Sequence, residues 1–434
     1  MKLQFDIVIV GAGPAGLAAA QAAAASGATI AVIDDNPQAG GQIWRGGPQH
    51  SGDKRAARLW TTLSQTKNLR FFNSARVLLP SAPGALLVET ADAAFTLHYG
   101  KLILATGARE RLLPFPGWTL PGVFGAGGIQ ALAKGGFPVA GKRIVVAGSG
   151  PLLLAVAATL KERGAQVLAI VEQAPLPRVA RFALALPATP GKLLQALRLR
   201  RQLAGIPYHM HSHVLRAEGD EHLTQVLLQI GSRQRTIACD YLACGFGLIP
   251  NTETANALGC SIADGAVQVD RWQQTSVADV YSAGESTGIG GVDLALVEGR
   301  IAGLAALGDL AQAASLVAGR RRWQAFAARL ARAFALREEL RQLADLDTIV
   351  CRCEDVRHRD LLQQAGWRSA KLHTRCGMGP CQGRVCGGAT DFLYGWTQDS
   401  VRVPLTPARI GSLISVVQAS VPATNAGTEA CTTF

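Results

Sequence analysis

The 434-residue chain is 48% apolar and 17% charged, a composition that supports two or three buried cores and excludes a disordered protein. Much of its net charge of +12 lies at 192–202 and 319–342, but no helix-turn-helix or aromatic-interleaved basic motif accompanies these stretches. We therefore expect solvated helix faces or a partner-docking surface there, and no binding of nucleic acid.

Neither a signal peptide nor a membrane span is expected. The first apolar run contains Asp6 and leads directly into a glycine motif, and the longest apolar stretch, at 145–160, is broken by glycine and proline. Five of the nine cysteines fall within 351–386, which favours metal binding over a disulfide scaffold. We expect a cytoplasmic, reducing location, with a peripheral membrane contact or a quinone-linked acceptor left open.

The first motif combines a strand, a glycine loop and a helix. The apolar run "FDIVIV" at 5–10 precedes "GAGPAG" at 11–16, and an alanine-rich helix follows at 17–27. A second strand, "TIAVID" at 29–34, ends in an acidic residue, Asp34. This order of strand, Gly-x-Gly-x-x-Gly loop, helix, strand and acid predicts a dinucleotide-binding fold.

Each glycine of this motif has a distinct physical role. Gly11 permits the tight turn, Gly13 lets the backbone approach a pyrophosphate, and Gly16 lets the helix pack closely on the sheet. The N-terminus of the helix faces the negative charge of the phosphates. Asp34 lies where a carboxylate accepts hydrogen bonds from ribose hydroxyls.

Three later segments specify FAD by resemblance. "GGQIWR" at 40–45, "LILATGARE" at 102–110 and "TSVADVYSAGESTG" at 275–288 resemble the successive motifs of the flavoproteins with two dinucleotide-binding domains, in the same order. The resemblance covers residues 1–303 and implies an FAD site. The candidate FAD residues are Gly11, Gly13, Pro14, Ala15, Gly16, Asp34, Asp35, Gly41, Gln42, Arg45, Val77, Ala105, Thr106, Gly107, Gly284 and Glu285.

The same resemblance assigns two roles within that set. Thr106 and Gly107 are placed near the pyrophosphate, and Glu285 is placed against the ribityl chain, before a helix near 286–300. The family more often carries Asp at the position of Glu285. A glutamate keeps the acceptor and reaches further.

A second stretch repeats the first motif. Residues 142–172 again read as strand, glycine loop, helix and strand, with Gly148 and Gly150 in the loop and Glu172 at the end of the second strand. Leu153 replaces the third glycine, so helix and strand cannot approach as closely. A fold repeat is expected, whereas a site for NAD(P) or another adenine nucleotide stays open. Glu172 would favour a free 2′-hydroxyl over a 2′-phosphate by charge repulsion.

The chain lacks the dithiol of the disulfide reductases that share this architecture. No Cys-x-x-Cys occurs beside the FAD motifs or in the second domain, and Cys239, Cys244 and Cys260 are expected to be buried structural thiols. We therefore predict that this protein does not reduce a disulfide with its own dithiol.

The C-terminal region carries a second cofactor pattern. Cys351 and Cys353 are followed, 22 residues later, by Cys376 and Cys381. Four thiolates hold either a tetrahedral zinc ion or a [2Fe–2S] cluster, and Cys-x-Cys is tight for a zinc knuckle. Cys386 adds a further thiol five residues after Cys381.

These residues resemble a known family. "CRCE" at 351–354 with "TRCGMGPCQGR" at 374–384 is similar to the bacterioferritin-associated-ferredoxin-like domain, here fused to the flavoprotein module. Such chains occur in hetero-oligomeric amino- and imino-acid dehydrogenases, including D-hydroxyproline dehydrogenase, opine oxidases, dye-linked proline dehydrogenase and hydrogen cyanide synthase. The α subunit of heterotetrameric sarcosine oxidase is a more distant relative. The resemblance covers nearly the whole chain.

The resemblance implies cofactors and partners. We expect a [2Fe–2S] cluster on Cys351, Cys353, Cys376 and Cys381, with Cys386 as a helix-packing residue. The expected partners are a catalytic β subunit that contains FAD and a small third subunit, and some relatives imply an FMN at a subunit interface. No catalytic residue is assigned on this chain.

The predicted fold class is α/β, with two Rossmann-like dinucleotide-binding domains and a small C-terminal [2Fe–2S] domain. The FAD-binding domain is expected at 1–115 and 245–305, interrupted by the second Rossmann domain at 116–244. A helical connector at 306–346 leads to the cluster domain at 347–434.

Three functions remain open from the residues. The first is an electron-transfer subunit that relays electrons from a substrate-oxidising partner through flavin and [2Fe–2S]. The second is a self-sufficient NAD(P)H-dependent reductase. The third is a redox-sensing binding protein whose cluster state controls a partner. A zinc-stapled tail is the structural alternative to a cluster.

Overall fold

A computed structural model describes residues 2–48, 52–398 and 401–414. In chain order the strands are β1 (Lys2–Val10), β2 (Ile30–Ile33), β3 (Leu69–Phe72), β4 (Arg76–Ala82), β5 (Ala85–Glu89), β6 (Ala94–Leu104), β7 (Ala108–Glu110), β8 (Val123–Gly125), β9 (Arg143–Gly148), β10 (Gln166–Glu172), β11 (Tyr208–His209), β12 (Ser212–Glu218), β13 (Gln225–Ile230), β14 (Arg233–Ala238), β15 (Tyr241–Gly245), β16 (Leu248–Pro250), β17 (Ile262–Ala263), β18 (Ala266–Val267), β19 (Val280–Ser282), β20 (Ile349–Cys351) and β21 (Val356–Arg357).

The α-helices are α1 (Pro14–Ala24), α2 (Lys54–Ser64), α3 (Ala126–Lys134), α4 (Leu152–Glu162), α5 (Leu176–Ala185), α6 (Pro190–Gln202), α7 (Glu253–Ala257), α8 (Gly291–Ala306), α9 (Leu310–Ala333), α10 (His358–Leu362), α11 (Trp367–Thr374) and α12 (Cys386–Tyr394). Short 3₁₀ helices occupy Leu186–Ala188, Gly284–Thr287 and Glu338–Gln342. None of the described helices is long and apolar enough to cross a membrane.

The first sheet has seven strands in the order β3-β2-β1-β6-β5-β4, with β19 added beside β6. Strands β1, β2, β3, β6 and β19 run parallel, whereas β4 and β5 form antiparallel pairs. Val10 at the end of β1 lies level with Ile33 and Leu104, the last residues of β2 and β6. The loops that follow these three strands therefore meet at one edge of the sheet, where ligands bind in open α/β folds.

The second sheet repeats this arrangement. Its order is β11-β10-β9-β15-β8, and all its strands run parallel. Gly148 at the end of β9 pairs with Glu172 on one side and Gly245 on the other. A three-stranded antiparallel sheet, β12-β13-β14, lies alongside. The prediction of an α/β fold with two Rossmann-like sheets is confirmed.

Close helix packing supports the first sheet. Helix α1 carries buried alanines along its length and packs against α8. Two glycines of α8 make this approach possible: a Cβ at Gly299 would lie 2.1 Å from the carbonyl oxygen of Ala15, and one at Gly303 would lie 2.4 Å from that of Ala19. Because these contacts are to backbone, side-chain repacking cannot relieve them.

The C-terminal region forms a small unit of its own. The β20–β21 hairpin and helices α10, α11 and α12 enclose a core that includes Val350, Leu361, Trp367 and Ala370. Of the predicted cluster domain, residues 399–400 and 415–434 lie outside the described residues. Its identity as a [2Fe–2S] domain stays a prediction.

The α1–α8 contact generates a matched pair of glycine substitutions. Gly299→Ala is expected to lower the free energy of unfolding by roughly 1–3 kcal/mol, because its methyl group would overlap the backbone of α1. Gly319→Ala, on α9, meets no atom within 4 Å and should raise it by about 1 kcal/mol through better helix propensity. Urea denaturation monitored by circular dichroism measures the free energy of unfolding of both variants. Equal changes of the same sign would contradict the α1–α8 packing described above.

Candidate functional site

A cavity of about 440 Å³ lies over the carboxyl ends of β1, β2, β6 and β19. We call it the dinucleotide cavity. Most of the candidate FAD residues line it: Gly11, Gly13, Pro14, Ala15, Asp34, Asp35, Gly41, Gln42, Val77, Ala105, Thr106, Gly107 and Glu285.

The other three candidates support this lining from beside it. Gly16 lies against the carbonyl oxygen of Gly11. The guanidinium of Arg45 donates to Oε1 of Gln42 at 2.7 Å. The N–H of Gly284 donates to the carboxylate of Glu298 at 3.1 Å.

The glycines of the first motif separate into structural and ligand-facing positions. A Cβ at Gly11 would lie 2.2 Å from the carbonyl oxygen of Ala105, and one at Gly16 would lie 1.8 Å from that of Gly11. A Cβ at Gly13 would meet only the Cα of Gly41, at 3.9 Å. The fold therefore does not require glycine at position 13, and the space that its missing side chain leaves faces the cavity. This fits the approach of a pyrophosphate to the backbone.

Two acids differ in how the protein holds them. Oδ2 of Asp34 accepts from the N–H of Ala12 at 2.6 Å, and Oδ1 accepts from the backbone N–H and the side-chain amide of Asn36, each at 2.8 Å. Asp34 thus joins the glycine loop to the loop after β2. By contrast, the described residues provide no hydrogen-bond donor to the carboxylate of Glu285, and burial raises its pKa. An acceptor without a protein partner at the cavity wall fits a ligand hydroxyl.

Sequence reasoning missed a polar cluster at the opposite wall. Arg109, Asn251 and Glu253 also line the cavity. The guanidinium of Arg109 donates to Glu253 at 2.7 Å and to Asn251 at 2.9 Å, and Asn251 exchanges hydrogen bonds with Thr106 at 2.7 and 2.9 Å. The "PNTE" run at 250–253 was the available signal, but only the fold brings it to the "ATG" loop.

The cysteine-rich loop reaches the same cavity. Arg384, which lies between Cys381 and Cys386 in sequence, lines it together with Leu405 and Thr406. The carbonyl oxygen of Arg384 accepts from Nε of Arg109 at 3.1 Å. The loop that carries the candidate metal ligands is therefore also a wall of the dinucleotide cavity.

The five C-terminal cysteines form two adjoining groups. The sulfurs of Cys351, Cys376 and Cys386 are buried and lie within 4.8 Å of one another. The outer pair is more accessible: the sulfur of Cys353 accepts from the backbone N–H of Cys381, and its thiol donates to the sulfur of Cys381. All four predicted ligands thus lie in one region, but Cys386 does as well. The choice of four among the five stays a prediction.

The buried group favours a thiolate. The thiols of Cys376 and Cys386, together with the N–H groups of Gly377 and Glu354, donate to the sulfur of Cys351 and lower its pKa. The thiolate is the form that binds a metal. Gly377 and Gly379 allow the close approach of their loop, since a Cβ at Gly379 would lie 2.4 Å from that of Cys353.

The second glycine motif is closed by the protein itself. The hydroxyl of Ser149 donates to the carbonyl oxygen of Phe334 at 2.8 Å, and the side-chain amide of Gln173 donates to that of Ala335 at 3.2 Å. The N–H of Arg337 returns a hydrogen bond to Gln173 at 3.1 Å. A Cβ at Gly150 would lie 3.9 Å from the Phe334 ring. Segment 334–337 therefore lies over the edge of the sheet where a nucleotide would bind.

The acid of the second motif is also engaged. Glu172 is fully buried, and its two carboxylate oxygens accept from the N–H groups of Gly150 at 2.7 Å and Ala174 at 2.8 Å. Burial raises its pKa to about 7. Glu172 thus holds its own loops together, as Asp34 does in the first motif, but it lies beneath a loop that segment 334–337 covers.

The other cysteines of the described residues lie in the cores of the protein. Cys239, Cys244 and Cys260 are buried, and burial raises the pKa of each thiol, to about 12 for Cys239. Protonated, enclosed thiols are unreactive. This agrees with the structural role predicted for them.

Comparisons with known proteins agree with this geometry. A family model described as pyridine nucleotide-disulphide oxidoreductase matches residues 5–306. The chain is 33% identical to a subunit of opine oxidase from Agrobacterium tumefaciens strain Ach5, over 94% of this chain and 91% of the relative. It is 35% identical to hydrogen cyanide synthase subunit HcnB of Pseudomonas aeruginosa, over 92% and 96% respectively.

The chain belongs to the pyridine nucleotide-disulphide oxidoreductase family. It is a flavoprotein oxidoreductase, and both relatives are named as subunits. A crystal structure of L-proline dehydrogenase from P. horikoshii shares the fold, with a TM-score of 0.71 and 19% identity over 95% of this chain and 80% of that one. The family resemblance stated from the sequence is thereby confirmed.

The flavoprotein cavity generates a test at Gly13. Gly13→Val is expected to fold normally and to lose at least tenfold in bound flavin, because the new side chain points into the cavity and meets no protein atom closely. Flavin absorbance per protein and the thermal melting temperature are the measurements.

Substitutions at two other glycines serve as controls for this result. Gly16→Val should fail to fold, because its Cβ overlaps the backbone of Gly11, whereas Gly191→Ala, with no atom within 4 Å, should keep its flavin. Full flavin content in Gly13→Val would show that the cavity is assigned to the wrong ligand.

The closed second motif generates a test with NADH. Titration of the flavoprotein with NADH is expected to give no saturable binding and no bleaching of flavin absorbance, since segment 334–337 lies over the glycine loop. Dithionite serves as the control that the flavin is reducible. Rapid bleaching by NADH, weakened in Glu172→Ala, would contradict the closure.

Proposed function

We propose that this chain is the electron-transfer subunit of a hetero-oligomeric dehydrogenase that oxidises an amino or imino acid of the hydroxyproline, proline or opine class. A partner β subunit with its own FAD oxidises the substrate, and this chain passes the electrons on through flavin and a [2Fe–2S] cluster. The relatives named as subunits of opine oxidase and of hydrogen cyanide synthase support both the substrate class and the subunit role.

One observation carries the relay. Arg384 belongs to the loop between Cys381 and Cys386, and it lines the dinucleotide cavity. Its backbone is held by Arg109, which itself lines that cavity and is fixed by Glu253. The candidate cluster ligands and the candidate flavin site therefore share a wall. Two redox groups placed on either side of one loop suit transfer between them.

Each group has a fitting set of residues on this chain. The lining of the dinucleotide cavity would hold FAD, with Gly13 facing the pyrophosphate and Glu285 facing the ribityl hydroxyls. Cys351, Cys353, Cys376 and Cys381 would hold the cluster. When bound, a flavin accepts electrons in pairs and releases them singly, whereas an iron–sulfur cluster carries one at a time.

The protein around the cavity supports oxidation of the substrate elsewhere. The described residues that line it include no histidine, lysine or tyrosine, the usual bases beside the acids. Of the three arginines that line it, Arg109 pairs with Glu253 at 2.7 Å and Arg384 lies 3.9 Å from the same carboxylate, whereas Arg76 forms no ion pair with a described residue. Support for oxidation on the partner subunit therefore comes from the lack of such a base among these residues.

The self-sufficient NAD(P)H reductase is the second candidate. The repeat of the glycine motif at 142–172 favours it, but segment 334–337 covers that motif and Glu172 is engaged by backbone amides. We therefore place it below the electron-transfer hypothesis. A small third subunit, an FMN at the subunit interface and a quinone-linked acceptor remain parts of the proposal that the family resemblance implies.

Metal analysis tests the central point. Protein made anaerobically is expected to contain two irons and two acid-labile sulfides per chain. Serine at Cys351, Cys353, Cys376 or Cys381 should remove them and leave the flavin bound, because the dinucleotide cavity is built on a separate sheet. Cys260→Ser is the matched control, since Cys260 packs in another core. If the protein contains zinc and no sulfide, the electron relay is overturned and the metal has a structural role only.

Cys386→Ala tests the ligand choice separately. We expect this variant to keep its iron, although its thiol lies beside those of Cys351 and Cys376. If Cys386→Ala loses its iron while one of the four serine variants keeps it, Cys386 is a ligand and the cysteine replaced in that serine variant is not. Iron content and the visible absorbance of the cluster distinguish the two sets.

A further inference from the structure

A second large cleft lies outside the dinucleotide cavity. It occupies about 550 Å³ between α5 and α9 and shares no lining residue with that cavity. Helix α5 has no fully buried residue and packs on α9 through the half-buried ring of Phe182. Neither the flavin nor the cysteines use it.

Four exposed arginines dominate the cleft. They are Arg178 and Arg181 on α5, and Arg329 and Arg332 on α9. Residues three apart lie on the same face of a helix, so each helix presents a pair of guanidinium groups. Like charges on one face of a helix destabilise it.

Nothing in the described part of the chain neutralises this charge. No Asp or Glu lines the cleft, and none of the four arginines forms an ion pair with a described residue. Other arginines nearby do have partners: Arg320 pairs with Glu298, and Arg337 with Glu339. Folding alone therefore gives no reason for four unpaired cations around one cleft.

An aromatic cluster connects the cleft with the second glycine motif. Phe182 packs against Phe326 and Phe334, each at 5.7 Å between ring centroids. Phe334 in turn lies against Gly150. The ring of Phe334 thus contacts both Phe182, which lines the cleft, and Gly150 of the glycine loop.

We propose that the α5–α9 cleft binds a compact polyanion, a small molecule with at least two phosphate or carboxylate groups. Paired guanidinium groups on facing helices match two anionic groups on one ligand, since planar guanidinium forks bind carboxylate and phosphate bidentately. The ligand bridges the arginines of α5 to those of α9. Ala333, at the end of α9, lines the cleft, and the next residue, Phe334, covers the second motif.

Calorimetric titration of the flavoprotein at low ionic strength tests this. Pyrophosphate and citrate are the probes, and acetate is the singly charged comparison. Pyrophosphate, citrate or both should bind saturably and at least tenfold more tightly than acetate, and added salt should weaken the binding. Pyrophosphate alone identifies phosphate as the ligand chemistry, citrate alone identifies carboxylate, and failure of both overturns the proposal.

A pair of double variants locates the site. Arg178→Gln with Arg332→Gln should weaken binding at least tenfold, whereas Arg200→Gln with Arg201→Gln, exposed in the last turn of α6, removes the same charge and should not. All four side chains are exposed, so the melting temperatures should stay unchanged. An equal loss in both variants would show a non-specific charge effect and overturn the site.

Titration with NADP⁺ is the last part of the experiment. If it binds through these arginines while pyrophosphate and citrate do not, the cleft belongs to a dinucleotide site and the proposal is wrong. None of these outcomes depends on the relay, because binding is measured on the chain alone and without turnover.

Discussion

The guanidinium of Arg109 joins three segments that are far apart in sequence. It pairs with Glu253 at 2.7 Å, donates to Asn251 at 2.9 Å, and reaches the backbone of Arg384 at 3.1 Å. Both charged side chains of the pair are largely buried, at 21% and 16% exposure, so water and salt screen them less than a surface pair. Removing Glu253 would leave the guanidinium of Arg109 enclosed without its counterion, whereas Glu253 itself also lies 3.9 Å from Nε of Arg384. The wall between the dinucleotide cavity and the cysteine loop is held by Arg109 together with this shared carboxylate.

The two glycine motifs show how similar sequences lead to different sites. In both, an acid at the end of the second strand accepts a backbone N–H from the glycine loop: Asp34 from Ala12 and Glu172 from Gly150. Each acid therefore stabilises its own turn before any ligand is present. The difference lies in what covers the edge of the sheet. Over the first motif there is a cavity, and over the second lies segment 334–337.

The first site could be predicted from the sequence because its motif lies within a short stretch of the chain. The order of strand, glycine loop, helix and acid fixes a parallel register, and that register brings Gly11, Asp34 and Ala105 to one edge. The same rule predicted the second sheet. It could not predict the closure by Phe334, because the covering segment follows its glycine loop by more than 180 residues.

Long-range contacts explain the other omissions. Arg384 was read only as part of a cysteine motif, and nothing local reveals that it faces a cavity lined mainly by residues within 10–109 and 251–295. Likewise, the spacing of the five cysteines places them in one region but does not show which four of them bind a metal. Their burial and sulfur distances distinguish an inner group of three from an outer pair, a division that depends on how α12 folds back on the β20–β21 hairpin.

The segment over the second motif, 334–337, also restrains the C-terminal unit. It fastens the end of α9 to the second sheet, and the indole of Trp118 holds the start of the C-terminal unit by donating to the carbonyl oxygen of Ile349 at 2.6 Å. The intervening stretch, 338–348, is therefore tethered at both ends. A tether of this kind limits how far the C-terminal unit swings from the flavoprotein body. The segment that covers the second glycine loop thus also fixes where the C-terminal unit begins.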